Sequence, residues 1–262
     1  MGGFVEKNFA RKPHFIILLV TPMTPFTKSD NMLIGERNMK KAVLCGLLLL
    51  FFIYGALPVF CSDWDIDLLD TARDVQYLTD EEKNVILEMN KARNNPGVYA
   101  RSYIEPRLAW FGGPFGNDHY LRPGDTIYIR QTGGRSAVVS AINALSRLPA
   151  LQPLSPSRGM SLAARDHTLD TGPRGMVGHT GSDRSSLTQR LERYGRWNGR
   201  TGETISYGFN NAREIVIQLL ISQGHRAIIM TGTHSHTGLS IGTHSQYNYM
   251  CTIKFADGYT DR

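Results

Sequence analysis

Between Asn211 and Phe255 the hydrophobic pattern of this chain changes its period, and that change restricts the fold more than any other feature. Ala212, Ile215, Val216, Leu219 and Leu220 recur at the spacing of one helical face, which predicts a helix over Asn211 to Ile221. From Tyr247 to Phe255 the odd positions are apolar or aromatic and the even ones mostly polar, the mark of a half-buried strand. Gly238 to Thr243 suits a strand before it, joined by a hairpin loop, and Thr204 to Tyr207 suits a third.

Upstream the helical period dominates. Thr79-Asp80-Glu81-Glu82 is a capping box, followed by Val85, Ile86, Met89 and Ala92 on one face and stopped by Asn94-Asn95-Pro96-Gly97. Further helices are expected over Ser136 to Leu148, Ser161 to Asp170 and Ser185 to Tyr194. Residues 105–135 are rich in Gly and Pro and read as a long loop, which belongs in a compact domain only if Trp110, Phe111, Phe115 and Tyr120 pack it down. Helices first and antiparallel strands late imply an α+β domain, with helices packed on a small, mainly antiparallel sheet. There is no βαβ alternation and no repeat.

The amino-terminal segment reads as an address. Lys40 and Lys41 precede an apolar run from Ala42 to Phe60, and the acidic stretch Ser62-Asp63-Trp64-Asp65-Ile66-Asp67 follows it. That is the order of a secretory signal over residues 39–61, cleaved before Ser62 or retained as a membrane anchor through residues 42–60. Met39 is then the natural start, residues 1–38 an upstream extension and residues 62–78 a linker. The net charge of +6 is concentrated here: residues 1–61 hold seven Lys or Arg against three Asp or Glu, leaving +2 for the remainder. Nucleic-acid binding, which needs clustered positive charge, is not expected. Cys45 and Cys61 fall within the signal, so Cys251 remains alone. An internal disulfide is therefore not expected, and Cys251 reads as a small buried hydrophobe on the apolar stripe of its strand.

The chain contains no His-Glu-x-x-His helix, phosphate loop or Gly-x-Ser-x-Gly elbow. It does contain an ordered set of motifs: Asn90-x-x-Arg93, Ala163-Ala164-Arg165-Asp166-His167, Gly178-His179-x-Gly-Ser-Asp183, Gly202-Glu203, Gly224-His225-Arg226 and Met250-Cys251-Thr-Ile-Lys-Phe255-Ala256. Together they resemble the bacterial branch of the CAP superfamily, the cysteine-rich secretory protein, antigen 5 and pathogenesis-related 1 group. The resemblance spans about residues 79–259 and implies a CAP domain over 79–262, built as an α-β-α sandwich with an open cleft. It also implies an extracytoplasmic protein, whether secreted, periplasmic or membrane-anchored.

The resemblance further implies a site in which His179 and His225 fill the two histidine positions and Glu203 the first acidic one. A second acidic residue is expected before Gly-His-Arg, where this chain has only Ser222-Gln223. Thr204 stands where Asn is usual, and Arg184 where Gly often follows Ser-Asp. Two neutral imidazoles can hold a divalent ion such as Zn²⁺ with positions left open. Glu203 can then be a ligand, a partner orienting an imidazole, or a general base on bound water. Three readings stay open: a domain binding a lipid, sterol or envelope glycan in its cleft; a metal-assisted cell-envelope hydrolase with Glu203 as the catalytic base; and a structural surface protein whose His/Glu set stiffens the core. His167 reads as a packing residue and His225 as a helix end. His234 and His236, two apart, share a face if extended. The run Arg190, Arg193, Arg196 and Arg200, with Tyr194 and Trp197, reads as a solvated face, with contact to an anionic glycan or lipid headgroup as the alternative.

Overall fold

A computed structural model describes residues 64–262. The extension, the signal or anchor, Cys45 and Cys61 lie outside the described residues. Among the described residues no helix is long and apolar enough to cross a membrane.

The domain begins earlier than the capping box. Asp65 caps a short helix α1 (Ile66–Leu69), and Trp64, Leu69, Ala72 and Leu78 are buried in the main core. Residues 64–78, expected as linker, are therefore part of the domain; few and scattered, these apolar residues carried no period to reveal it. Helix α2 (Asp80–Asn94) starts at Thr79 with both bonds of the capping box formed. Asn95 caps α3 (Pro96–Tyr99), which runs on through a wider turn at Ala100–Ile104 and a tighter one at Glu105–Trp110. The long loop condenses as its aromatics require. Strands β1 (His119–Tyr120) and β2 (Ile129–Arg130) pair, and Tyr120 packs against Trp110 and Phe111.

Helices α4 (Gly134–Leu145), α5 (Arg158–Thr171), α6 (Leu187–Glu192) and α7 (Ala212–Ile221) fall on the four other expected segments. Helix α7 ends at Ile221 as expected, but the chain turns at Ser222 and starts α8 (Gln223–Ile229), so His225, read as a helix end, sits in a first turn and not at a C-terminus.

The main sheet has the order β3 (Ser155–Pro156), β5 (His236–His244), β6 (Asn248–Asp261), β4 (Gly195–Tyr207), antiparallel except for the short β3–β5 pair. Strand β4 is thus an edge. On one face Leu239, Cys251, Ile253 and Phe255 pack into the large core with α2, α4 and α7; on the other, Met160 and Ala163 of α5 and Leu191 of α6 meet Ala256 and Tyr259. That is an α-β-α sandwich. It also corrects the reading of β6 as half-buried: Thr252 and Lys254 are fully buried beneath α5, with Thr168 donating to the Thr252 hydroxyl at 3.1 Å. Polar residues alternate along β6 because their partners are inside the protein. Cys251 is free and buried, and burial pushes its thiol well up.

Gly238 permits the close approach of α5, since a Cβ there would lie 2.3 Å from the Ser161 nitrogen. The motif Asn90-x-x-Arg93 proves structural. The Arg93 guanidinium donates to the carbonyls of Gln152, Ile229, Thr231 and His234, and Asn90 bonds Leu154 through both its donor and its acceptor.

Candidate functional site

The two expected histidines approach the free edge of β4 from opposite faces of the sheet. Gly202 sits where a Cβ would meet Ile228 at 2.7 Å, so glycine lets α8 lie close to β4 and brings His225 to that edge. From the other side comes the loop after α5. It is pinned at Gly178, whose φ of +104° favours glycine. The Gly178 carbonyl lies 2.9 Å from His167 Nε2, and its N–H donates to the Tyr207 hydroxyl at 3.0 Å. His167, expected as a packing residue, thus also holds the loop that carries His179.

Glu203 is almost fully buried on β4, beside the His179 ring. His179 Nδ1 lies 2.8 Å from Glu203 Oε1, with the ring 56% exposed and the carboxylate 2%. Arg190 of α6 donates to Glu203 Oε2 at 3.2 Å and to the His179 carbonyl at 2.9 Å. Lys254 of β6, buried completely, donates to the same Oε2. Burial alone would raise the Glu203 carboxyl, but the His179 hydrogen bond and the Lys254 and Arg190 charges outweigh it and hold the group down to about 2. Burial pulls the Lys254 ammonium down to about 8 against the opposing pull of Glu203.

These contacts alter the chemistry open to Glu203. A carboxylate this acidic, enclosed by two cations, is a poor proton acceptor at neutral pH, which counts against the expected catalytic base. Its oxygens are occupied, which also counts against direct metal ligation. What it can do is hold the His179 ring and fix its tautomer, leaving Nε2 directed outward.

His225 is half-buried and has its pKa lowered by burial, with His179 nearby lowering it further. The structure therefore brings His179 and Glu203 into contact and sets His225 within electrostatic reach of them. Among the described residues no group of three or more His, Cys, Asp or Glu side chains is gathered to hold a metal. An ion held here would have the two imidazoles as its ligands, with the carboxylate behind one of them.

His225 also lines a cleft of about 660 Å³ that runs along β4 past Ile205, Ser206 and Tyr207 to α4, α7 and the Arg130–Gly133 segment. Ser206 is buried and its hydroxyl has no hydrogen-bond partner among the described residues.

The other candidates separate. His234 is buried against Phe255 and paired with Asp257, while His236 Nδ1 meets the Ser235 hydroxyl at 2.7 Å, so the two rings do not converge. The arginine run also divides: Arg190 belongs to the Glu203 cluster, Arg193 bridges Asp166 and Asp183 at 2.8 Å each, and Arg196 and Arg200 remain exposed. Arg190, Lys254, Tyr207 and Ser206 were not anticipated as site residues. One signal was available, since Lys254 is the only charge between Tyr249 and Ala256.

Residues 139–255 match the model of the family described as CAP, the cysteine-rich secretory protein family, so the chain carries a CAP domain. No curated protein matches the sequence. Among solved structures it is similar to an outer surface protein of Borrelia burgdorferi, at 17% identity and a TM-score of 0.37, over 40% of this chain and 78% of that one. It is also similar to an extracellular protein containing an SCP domain from Bacillus anthracis, at 20% identity and a TM-score of 0.33, over 47% of this chain and 37% of the other. A cysteine-rich secretory protein from Staphylococcus aureus matches at 16% identity and a TM-score of 0.33, over 47% of this chain and 38% of that one.

Proposed function

We propose that this is an exported CAP domain that binds a ligand in the cleft along the free edge of β4, with His225 in the cleft wall and His179 beside it. One observation carries the reading: a cleft of about 660 Å³, within the usual range of ligand sites, runs along the free edge of β4 with His225 in its lining. Export rests on the signal-like segment 39–61.

Two features favour binding over turnover. Glu203 is held too acidic to activate water, and its contacts are those of a group that positions an imidazole. A divalent ion between His179 Nε2 and His225 is the second reading. It is favoured by the carboxylate behind His179 and by the lowered pKa of His225, which keeps that ring neutral and able to ligate. Such an ion would supply a Lewis-acidic point for a ligand oxygen.

The test is a thermal-shift panel on the full chain with a sterol, phosphatidylglycerol vesicles and soluble glycan fragments, run beside Ser140→Trp. Ser140 is exposed on α4 and lines the cleft, so tryptophan fills the space without entering the core. A ligand at a hundredfold its Kd should add about 2.7 kcal/mol to the wild type and nothing to the variant. No response to any probe, or an equal response in the variant, would overturn the cleft reading. For the ion, elemental analysis of protein purified without a metal-affinity tag should find metal that the His179→Ala/His225→Ala double variant lacks.

A further inference from the structure

The cleft does not stop at Tyr207. A second hollow of about 450 Å³ lies beyond it, lined by Arg122, Ile129, Asn210, Asn211 and Glu214 among others. The two hollows share Arg130, Tyr207, Phe209, Gln218 and Tyr247 in their walls. They are two chambers of one groove, divided by a belt of aromatic and amide side chains.

The chemistry of that belt is selective. Tyr207 and Tyr247 have ring centroids 5.5 Å apart with their planes tilted, and Tyr247 is 46% exposed, which offers an aromatic face at the waist. Amides and hydroxyls surround it: Gln131, Gln218, Gln223 and Ser206 toward His225, Asn210 and Asn211 on the far side. The charges do not balance. Glu214, the one acid in either lining, is neutralised by Arg107 at 2.5 Å. Arg130 stands in both chambers, exposed and with no polar partner among the described side chains.

Resting on the cleft reading above, we infer that the groove takes an acidic glycan chain, long enough to occupy both chambers. Sugar rings lie against Tyr207 and Tyr247, their hydroxyls bond the amides, and a carboxylate or sulfate pairs with Arg130. Each part answers a feature of the wall. Aromatic faces accept the C–H faces of a ring, side-chain amides both give and accept hydrogen bonds, and an unpaired guanidinium selects an anion. A sterol would leave the amides and Arg130 unanswered, and a single headgroup would fill one chamber only.

The experiment is calorimetric titration of the full chain with size-defined oligogalacturonates, from dimer to octamer, beside neutral cello-oligosaccharides of equal length. Affinity for the acidic series should climb with length until both chambers are filled. Arg130→Ala should weaken the longer acidic chains by about tenfold or more, and Arg130→Lys should restore part of the loss. Tyr247→Ala should weaken both series. Equal affinity for the two series, no gain beyond the dimer, or an unchanged Arg130→Ala would overturn the inference. Vesicle or sterol binding that Ser140→Trp abolishes, with no glycan binding, would overturn it while leaving the cleft reading intact.

Discussion

Among the described residues two histidine–carboxylate pairs, at His179 and His234, have their carboxylates on the same sheet, and they are built in opposite senses. In one, His179 Nδ1 meets Glu203 at 2.8 Å; in the other, His234 Nδ1 meets Asp257 at 2.9 Å. The bond is nearly the same and the burial is inverted. Glu203 is 2% exposed and its ring 56%, whereas His234 is 4% exposed and its carboxylate 22%. A buried carboxylate presents its imidazole to solvent, while a buried imidazole ties its carboxylate to the surface. His234 is further occupied by stacking on Phe255 and by accepting Arg93 at its carbonyl. The first arrangement displays a functional group; the second spends one on the fold.

Removing each carboxylate tests this contrast most severely. Glu203→Ala should destabilise the domain by about 3–5 kcal/mol, because Arg190 and Lys254 are left as buried unpaired charges. Asp257→Ala removes hydrogen bonds from Thr233, the Arg200 N–H and His234. Its expected cost is about 1–2 kcal/mol. Urea denaturation at neutral pH reads both, and equal losses would end the contrast.

Acid should separate the pairs next. The folded pKa of Glu203, about 2, lies below its ordinary 4.5, so the unfolded chain binds more protons between those values. The stability this group contributes is complete above about pH 4.5 and is lost as pH falls toward 2. It amounts to about 3 kcal/mol. Denaturation midpoints from pH 7 to pH 3 should therefore fall more steeply in the wild type than in Glu203→Gln. Parallel curves would show that the Glu203 carboxylate is not held as described.

The smallest effect concerns the rings. His234→Ala should cost about 2 kcal/mol through lost packing and an unanswered Asp257, and His179→Ala about 1 kcal/mol, because its exposed ring packs little and the loss is the hydrogen bond to the buried Glu203. The order reverses for ligand binding, where only His179→Ala should weaken the complex. Loss of binding in His234→Ala at unchanged stability would assign that pair a direct role.

Most elements were legible, and the reasons are local. Thr79 and Glu82 form their capping box regardless of what packs above them, and the face made by Ala212, Ile215, Val216 and Leu219 is set within a few turns. The pieces missed depended on distant partners. Trp64 and Leu69 joined the core without a period to betray them. Lys254 and Thr252, read as an outer face, were buried because α5 covers them. The candidate site divides the same way. His179, Glu203 and His225 could be named from motifs, but the partners that set Glu203's chemistry could not.

Composition and pattern along the chain thus established the helix-then-strand order, the capped start of α2, and which side chains were capable of chemistry, since each of these follows from residues within about one turn of one another. Packing alone assigned the roles. Arg190 and Lys254 reach Glu203 from 13 and 51 residues away, through the fit of α6 on the sheet and the register of β6 on β4. A carboxylate's acidity depends on the charges and water around it, and those neighbours exist only once the strands have met.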